Sequence, residues 1–200
     1  ITADATEMNY LDGVTSSIQT QIDAKGTASN VTGLSDALVE DNSLYIGNDP
    51  SSTTSTAEYN VAVGTTALDA ITTGDKNTAV GYDALTNNTT GINNTAIGYY
   101  ALYNNTTGSR NTASAYYALN KNTEGDNNTA SGYNALNKNT EGDNNTATGY
   151  NALYSNTTGN YNAASGSYAL YKNTEGHSNT ASGGYALHSN ISGANNTASG

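Results

Sequence analysis

The sequence predicts a mostly β fold: a repetitive parallel β-roll or β-solenoid fibre with 17-residue rungs, homotrimeric, behind a short helical, coiled-coil stalk over residues 1–40. Three observations predict it. Asn, Gly, Leu and two Ala columns recur in one fixed register of 17 residues from Asn60 to Gly200. Bulky apolar residues are scarce: hydrophobic residues make up 35 %, with no Phe, no Trp and a single Met, against roughly 45–50 % in an ordinary globular domain. The charged fraction, 12 %, is also too low for charge-driven disorder, so order has to come from repetition.

The stalk is read from residues 1–40. Thr2 followed by Ala3-Asp4-Ala5 has the chemistry of a helix cap with an acid in the first turn. Leu11, Val14 and Ile18 fall at heptad seam spacing, Ile22 extends the face, and Gln21 is a polar seam residue of the kind that fixes register. Leu34, Leu38 and Val39 make a second short helical pattern, with Gly13 and Gly26 as interruptions. A small helical cap on a solenoid is the competing expectation. Residues 41–59 are expected to be an adaptor: Ser43-Leu44-Tyr45-Ile46-Gly47 lies one period before Asn60-Val61-Ala62-Val63-Gly64 and reads as a degenerate first rung.

From residue 60 to 200 the unit is N-T-A-x-G-Y-x-A-L-x-x-N-T-[TE]-G-x-x, eight full copies and the start of a ninth, without insertion or deletion. Identical columns without indels imply rungs that stack directly on one another. The T-A-x piece alternates as a short strand does, and N-T-[TE]-G supplies turn formers with a Gly able to take positive φ. Leu85, Leu102, Leu119, Leu136, Leu153, Leu170 and Leu187, with Ala79, Ala96 and Ala113, are the expected structural core. One rung offers little to bury: a Leu contributes roughly 1.5–3 kcal/mol, whereas ordering each residue costs about 1–2 kcal/mol. Three chains sharing one Ala and Leu axis would bury more and would remove strand edges, which is the argument for a trimer. A monomeric solenoid is the alternative. Asn at the first and twelfth positions of the unit should form amide ladders along the axis.

Charge and motifs exclude several function classes. A net charge of −11 repels phosphate backbones, so nucleic acid is not an expected partner. No apolar run is long enough to insert in a membrane, and the absence of Cys rules out disulfides and thiolate metal sites. The start at Ile1 is what a fragment or a processed product would show. His177 and His188 stand alone in variable columns, so neither a triad nor a metal centre is expected; the chain reads as a non-enzyme without cofactor or metal. Glu124-Gly125-Asp126-Asn127-Asn128 and Glu141-Gly142-Asp143-Asn144-Asn145 cluster oxygens at turns, and a solvated turn is favoured over calcium. Asn88-Thr89-Thr90 and Asn156-Thr157-Thr158 match the glycosylation triplet, as an Asn- and Thr-rich repeat does by chance. Tyr is the residue type suited to recognition, since a flat ring with a hydroxyl edge stacks on sugars. Tyr99, Tyr100, Tyr103, Tyr116 and Tyr117 are the candidate glycan contacts, against the plainer role of rung-on-rung packing.

Two stretches near the start and the repeats themselves carry a resemblance. Thr6-Glu7-Met8-Asn9-Tyr10-Leu11-Asp12-Gly13-Val14-Thr15-Ser16 resembles a stalk motif common in tail-fibre proteins of marine phages, and Leu38-Val39-Glu40-Asp41-Asn42-Ser43-Leu44-Tyr45-Ile46-Gly47 is of the same kind. Repeats such as Asn94-Thr95-Ala96-Ile97-Gly98-Tyr99-Tyr100-Ala101-Leu102 resemble the body of phage tail-fibre proteins, many of which end in a self-cleaving intramolecular chaperone that this sequence does not contain. They are also similar to the shorter repeats of trimeric autotransporter adhesin heads, which are parallel β-rolls. The resemblance implies a homotrimeric fibre on a virion surface, partnered by other virion proteins and by host surface glycans. A bacterial surface adhesin or extracellular filament is the alternative. An ice-binding solenoid is a lower one, suggested by Thr columns but opposed by Tyr and by Glu124, Glu141 and Glu175 among them.

Overall fold

The computed structural model describes residues 37–47, 50, 53 and 55–200. Within them the chain is a parallel β-solenoid: one 11-stranded sheet whose strands lie in sequence order. The strands are β1 (Ala37–Glu40), β2 (Ser43–Ile46), β3 (Val61–Val63), β4 (Thr78–Val80), β5 (Thr95–Ile97), β6 (Thr112–Ser114), β7 (Thr129–Ser131), β8 (Thr146–Thr148), β9 (Ala163–Ser165), β10 (Thr180–Ser182) and β11 (Thr197–Ser199). From β2 onward each strand pairs in parallel with the residues 17 positions later, as in Leu44↔Val61 and Ala96↔Ala113. Each rung therefore advances by one strand spacing, about 4.8 Å. That is the geometry of a solenoid; a triple β-spiral advances much further per repeat.

Residues 37–40 correct one expectation. The pattern of Leu34, Leu38 and Val39 reads as helical, but Ala37–Glu40 is a strand, antiparallel to β2 with Glu40↔Ser43 in register. Asp41 and Asn42 both take positive φ, +44° and +58°, so they make the two-residue hairpin turn that suits the twist of the flanking strands. The remainder of the stalk expected over residues 1–40, residues 1–36, lies outside the described residues. Ser43–Ile46 does act as a first rung, and Tyr45 stands in the column that later rungs fill with Ala. It is fully buried, so one bulky ring covers the end of a core built from small residues.

Each strand has only three residues in the repeats, with the middle Ala inside and its neighbours facing out. Leu68, Leu85, Leu102, Leu119, Leu136, Leu153 and Leu170 are fully buried with the two Ala columns, and Leu187 and Ala198 pack against them. This burial is complete within one chain. The Ala and Leu axis is therefore covered without a partner chain. What the burial estimate omitted is the polar interior.

That interior has three ladders. At the first position Asn77, Asn94, Asn111 and Asn128 each accept on Oδ1 the backbone N–H of the Asn one rung on, at 2.9 Å. Their Nδ2 groups close their own rungs on the carbonyls of Gly91, Gly108, Gly125 and Gly142. At the twelfth position Asn105, Asn122, Asn139 and Asn156 each donate Nδ2 to the Oδ1 of the preceding rung's Asn at 2.7–2.8 Å, and also to the nearby Gly carbonyl. At the thirteenth, Thr hydroxyls such as Thr106 and Thr123 donate to the carbonyl of the next rung's Thr. Backbone bonds outside the strands also run between rungs, among them Leu119 N–H to Ala135 O and Thr123 N–H to Thr140 O. Nearly the whole rung is thus paired to its neighbours, and buried polar groups are satisfied rather than excluded.

The turns also depart from expectation. The Gly of N-T-[TE]-G does not take positive φ. It is Gly because of crowding: a Cβ at Gly125 would lie 2.5 Å from the Gly142 carbonyl oxygen and 2.6 Å from Asn122 Oδ1. Positive φ falls instead on Leu119 (+50°), Tyr117 (+56°), Asn127 (+57°) and their equivalents in each rung, and on the residue after each parallel strand, which is Gly except at Ala115. A buried Leu in the left-handed region is strained, by about 1–2 kcal/mol. It is held there because no Gly could fill the core.

Candidate functional site

Two exterior faces differ in chemistry. The strand face shows the second and fourth positions of the unit. In its later rungs these are Thr112 and Ser114, Thr129 and Ser131, Thr146 and Thr148, all exposed. In its first rungs the same face carries the exposed aliphatic side chains Val61, Val63, Val80 and Ile97, beside Thr78 and Thr95. The positive-φ residue at the end of each repeat strand, Gly in every rung but that of Ala115, turns the chain, and beyond it lies the tyrosine face, built from the sixth, seventh and tenth positions.

On that face Tyr82, Tyr99, Tyr116, Tyr133 and Tyr150 stack in one column, with centroids 5.1–5.4 Å apart and planes within 16°. Tyr100 stacks on Tyr117 in the next column at 5.1 Å, and Tyr103 packs beside Tyr100 at 4.8 Å. Where the sixth position ends, at Ser167, Tyr168 takes over with an edge contact to Tyr150, and Tyr168–Tyr185 and Tyr154–Tyr171–His188 continue the stack. The five candidate glycan contacts are therefore together on one face. Their ring planes, however, mostly meet other rings. Stacked aromatics of this kind contribute about 0.5–1.5 kcal/mol per pair.

The electrostatics follow from this packing. A hydrogen bond to the Asp83 carboxylate, with burial second, holds the Tyr100 phenol well above the usual tyrosine range. Burial raises Tyr116, and a hydrogen bond to Tyr168 raises Tyr150. Asp83 also accepts the Thr66 hydroxyl, so its carboxylate is engaged on two sides.

Other candidates take structural roles. Asp126 and Asp143, in the oxygen-rich turns, accept the backbone N–H of Ser109 and Asp126 from the preceding rungs at 2.7 Å. His177 Nδ1 accepts the Asn160 N–H in the same column. Among the described residues no group of three His, Cys, Asp or Glu is placed to hold a metal ion. Asn88 and Asn156, the glycosylation triplets, are fully buried in the twelfth-position ladder.

No known family, curated protein or solved structure matches the chain. Any functional reading therefore has to start from the two faces and the stack that carries them.

The feature that column-reading missed is an interruption in the aromatic face. The seventh position is Tyr at 100 and 117, Asn at 134 and 151, and Tyr again at 168; the tenth runs Tyr103, Asn120, Asn137, Tyr154. Where the rings are missing, an open groove of about 320 Å³ lies between Tyr117 and Tyr154, walled by Tyr116 and Tyr133. The signal is in the sequence, but only as a change between successive repeats.

Proposed function

We propose that this chain is a structural fibre, a shaft segment of a viral tail fibre that takes part in host attachment, and that it does no catalysis. The observation that carries the reading is the unbroken axial stack. Nine steps from β2 to β11, with ladders running from rung to rung, make a stack of roughly 40–45 Å. Such an architecture projects something outward, and the resemblance of the stalk and repeat motifs supplies the viral setting. Self-association into a homotrimer belongs to the proposal, seated on outer surfaces rather than a shared core. The exposed Val61, Val63, Val80 and Ile97 near the stalk end are the surface that favours it. Antibodies against the chain should decorate tail fibres in electron micrographs of virus particles; labelling of cell envelopes instead would favour a bacterial adhesin. Light scattering showing a monomer would remove the trimer and leave the shaft.

One observation favours a second reading, an ice-binding solenoid. Thr and Ser ranks at the second and fourth positions lie on the strand face, and the Tyr columns begin only after the Gly bend. The interleaving of Thr with Tyr is thus less severe than the sequence suggests. Strong thermal hysteresis would establish this reading in place of the fibre.

A further inference from the structure

The interruption in the tyrosine face has the chemistry of a binding site. Tyr117 stacks on Tyr100 and packs at a tilt beside Tyr116, centroids 4.5 Å apart, and among the described residues no ring of the following rungs meets it, because Asn134 and Asn151 occupy that column. Between Tyr117 and Tyr168 two ring layers are absent, a gap of about 14 Å at one strand spacing per rung. The amides beneath are held in place. Asn120 donates Nδ2 to the Tyr100 carbonyl and Asn137 to the Tyr117 carbonyl, both at 3.1 Å. Among the described residues neither Oδ1 accepts a hydrogen bond, so each is an unused acceptor in the lining of the groove.

Charge narrows the ligand. The groove lining contains Lys121 and no carboxylate, on a chain of net charge −11. Lys138 adds a second cation nearby, its Nζ 5.0 Å above the Tyr154 ring. A half-buried aromatic ring lining the groove, fixed amide acceptors and a locally cationic rim together suit a ring with an apolar face, hydroxyl donors and a negative charge.

We propose that this groove binds a saccharide carrying a carboxylated sugar residue. The C–H face of the sugar stacks on Tyr117, its hydroxyls donate to Asn120 and Asn137 Oδ1, and its carboxylate pairs with Lys121. The proposal deepens the attachment-fibre reading by naming a ligand class, and rests on that reading for its biological setting.

The test uses the full chain with oligogalacturonate as the acidic probe and a maltooligosaccharide as the neutral one, followed by saturation-transfer NMR and calorimetry. Oligogalacturonate should bind with transfer from tyrosine ring protons, and more tightly than the neutral sugar. Asn134→Tyr with Asn137→Tyr refills the gap with residues that the same columns already hold in other rungs. This double variant should keep the melting temperature and lose binding. Lys121→Gln should weaken only the acidic probe, by about two- to fivefold, the size of an exposed ion pair. Absence of binding to both sugars, equal binding of both, or acidic binding that survives the refill would each overturn the proposal. Small-angle scattering on the same samples separates the two readings: a rod that binds neither sugar refutes the site alone, whereas a compact particle refutes the shaft.

Discussion

Asn122 sits mid-ladder, fully buried, and its replacement by Ala is the sharpest probe of the polar interior. Its Nδ2 donates to Asn105 Oδ1 at 2.8 Å and to Gly125 O at 2.9 Å, and its Oδ1 accepts Asn139 Nδ2 at 2.7 Å. The Gly125 carbonyl keeps a partner in the variant, because Asn111 Nδ2 also donates to it. Two groups are left unpaired: Asn105 Oδ1 and one N–H of Asn139. At about 1–3 kcal/mol for each buried unsatisfied group, the loss is about 2–6 kcal/mol, before any cavity term. Urea unfolding followed by circular dichroism measures it, with exposed Thr107→Ala as the control. Because stacked repeats can unfold in parts, amide exchange of the rungs around residue 122 should accompany the urea curve. Local protection should fall there first. Asn122→Ala losing no more than Thr107→Ala would refute the idea that the ladder holds the solenoid together.

Three further outcomes follow from the geometry. Ala115 occupies the position that other rungs give to Gly, at φ +143°, so Ala115→Gly should stabilise by about 1 kcal/mol, read as a higher urea midpoint; a decrease would contradict the strain. Leu136→Ala opens a cavity in a column with no slack and should cost about 2–5 kcal/mol by the same assay. Tyr100, Tyr116 and Tyr150 hold their protons more tightly folded than unfolded, so their contribution is complete below the ordinary tyrosine pKa and is lost as pH rises through the folded values. Stability should accordingly fall above about pH 10, with tyrosinate absorbance appearing late in the folded protein and rising on unfolding.

Much of the fold is legible in the sequence because one period governs it. The 17-residue spacing of Ala and Leu marks what is inside, and the Asn columns mark where amides stack. What could not be read is which backbone positions bear the strain. Leu119 is among the residues least suited to positive φ, yet it takes +50°, because the core needs its side chain at a corner. Gly125 looks like a positive-φ turn residue and is instead a close-contact residue. The hairpin at Asp41-Asn42 was hidden by an apolar spacing that fits a helix equally well over so few residues. On the tyrosine face, Tyr99, Tyr100, Tyr103, Tyr116 and Tyr117 are visible as columns, but the use of their faces by one another is a matter of three dimensions. The groove beside Tyr117 follows from what replaces Tyr at 120, 134 and 137, residues that a search for aromatic columns passes over.

The absence of insertions from the repeat has a physical cause in the two Asn columns. Asn128 bonds forward through Oδ1 to the Asn145 N–H and closes its own rung through Nδ2 on Gly142. One added residue between 128 and 142 would shift that closure, and the twelfth-position amide would no longer meet its counterparts above and below. A slip of one residue would also exchange the inward Ala for an outward Thr or Ser, placing a polar side chain where only a methyl fits. Register is therefore specified twice, by amide pairing and by side-chain size, and the only other consistent pairing is displaced by a whole rung. Ile71 shows where the twelfth-position ladder can stop. It is fully buried in the column at the first full repeat, and Asn88 above it donates only to its own Gly91 carbonyl. An apolar residue is tolerated at the start of the ladder, where one neighbour at most loses a partner. In the middle it would strand an acceptor on one side and a donor on the other.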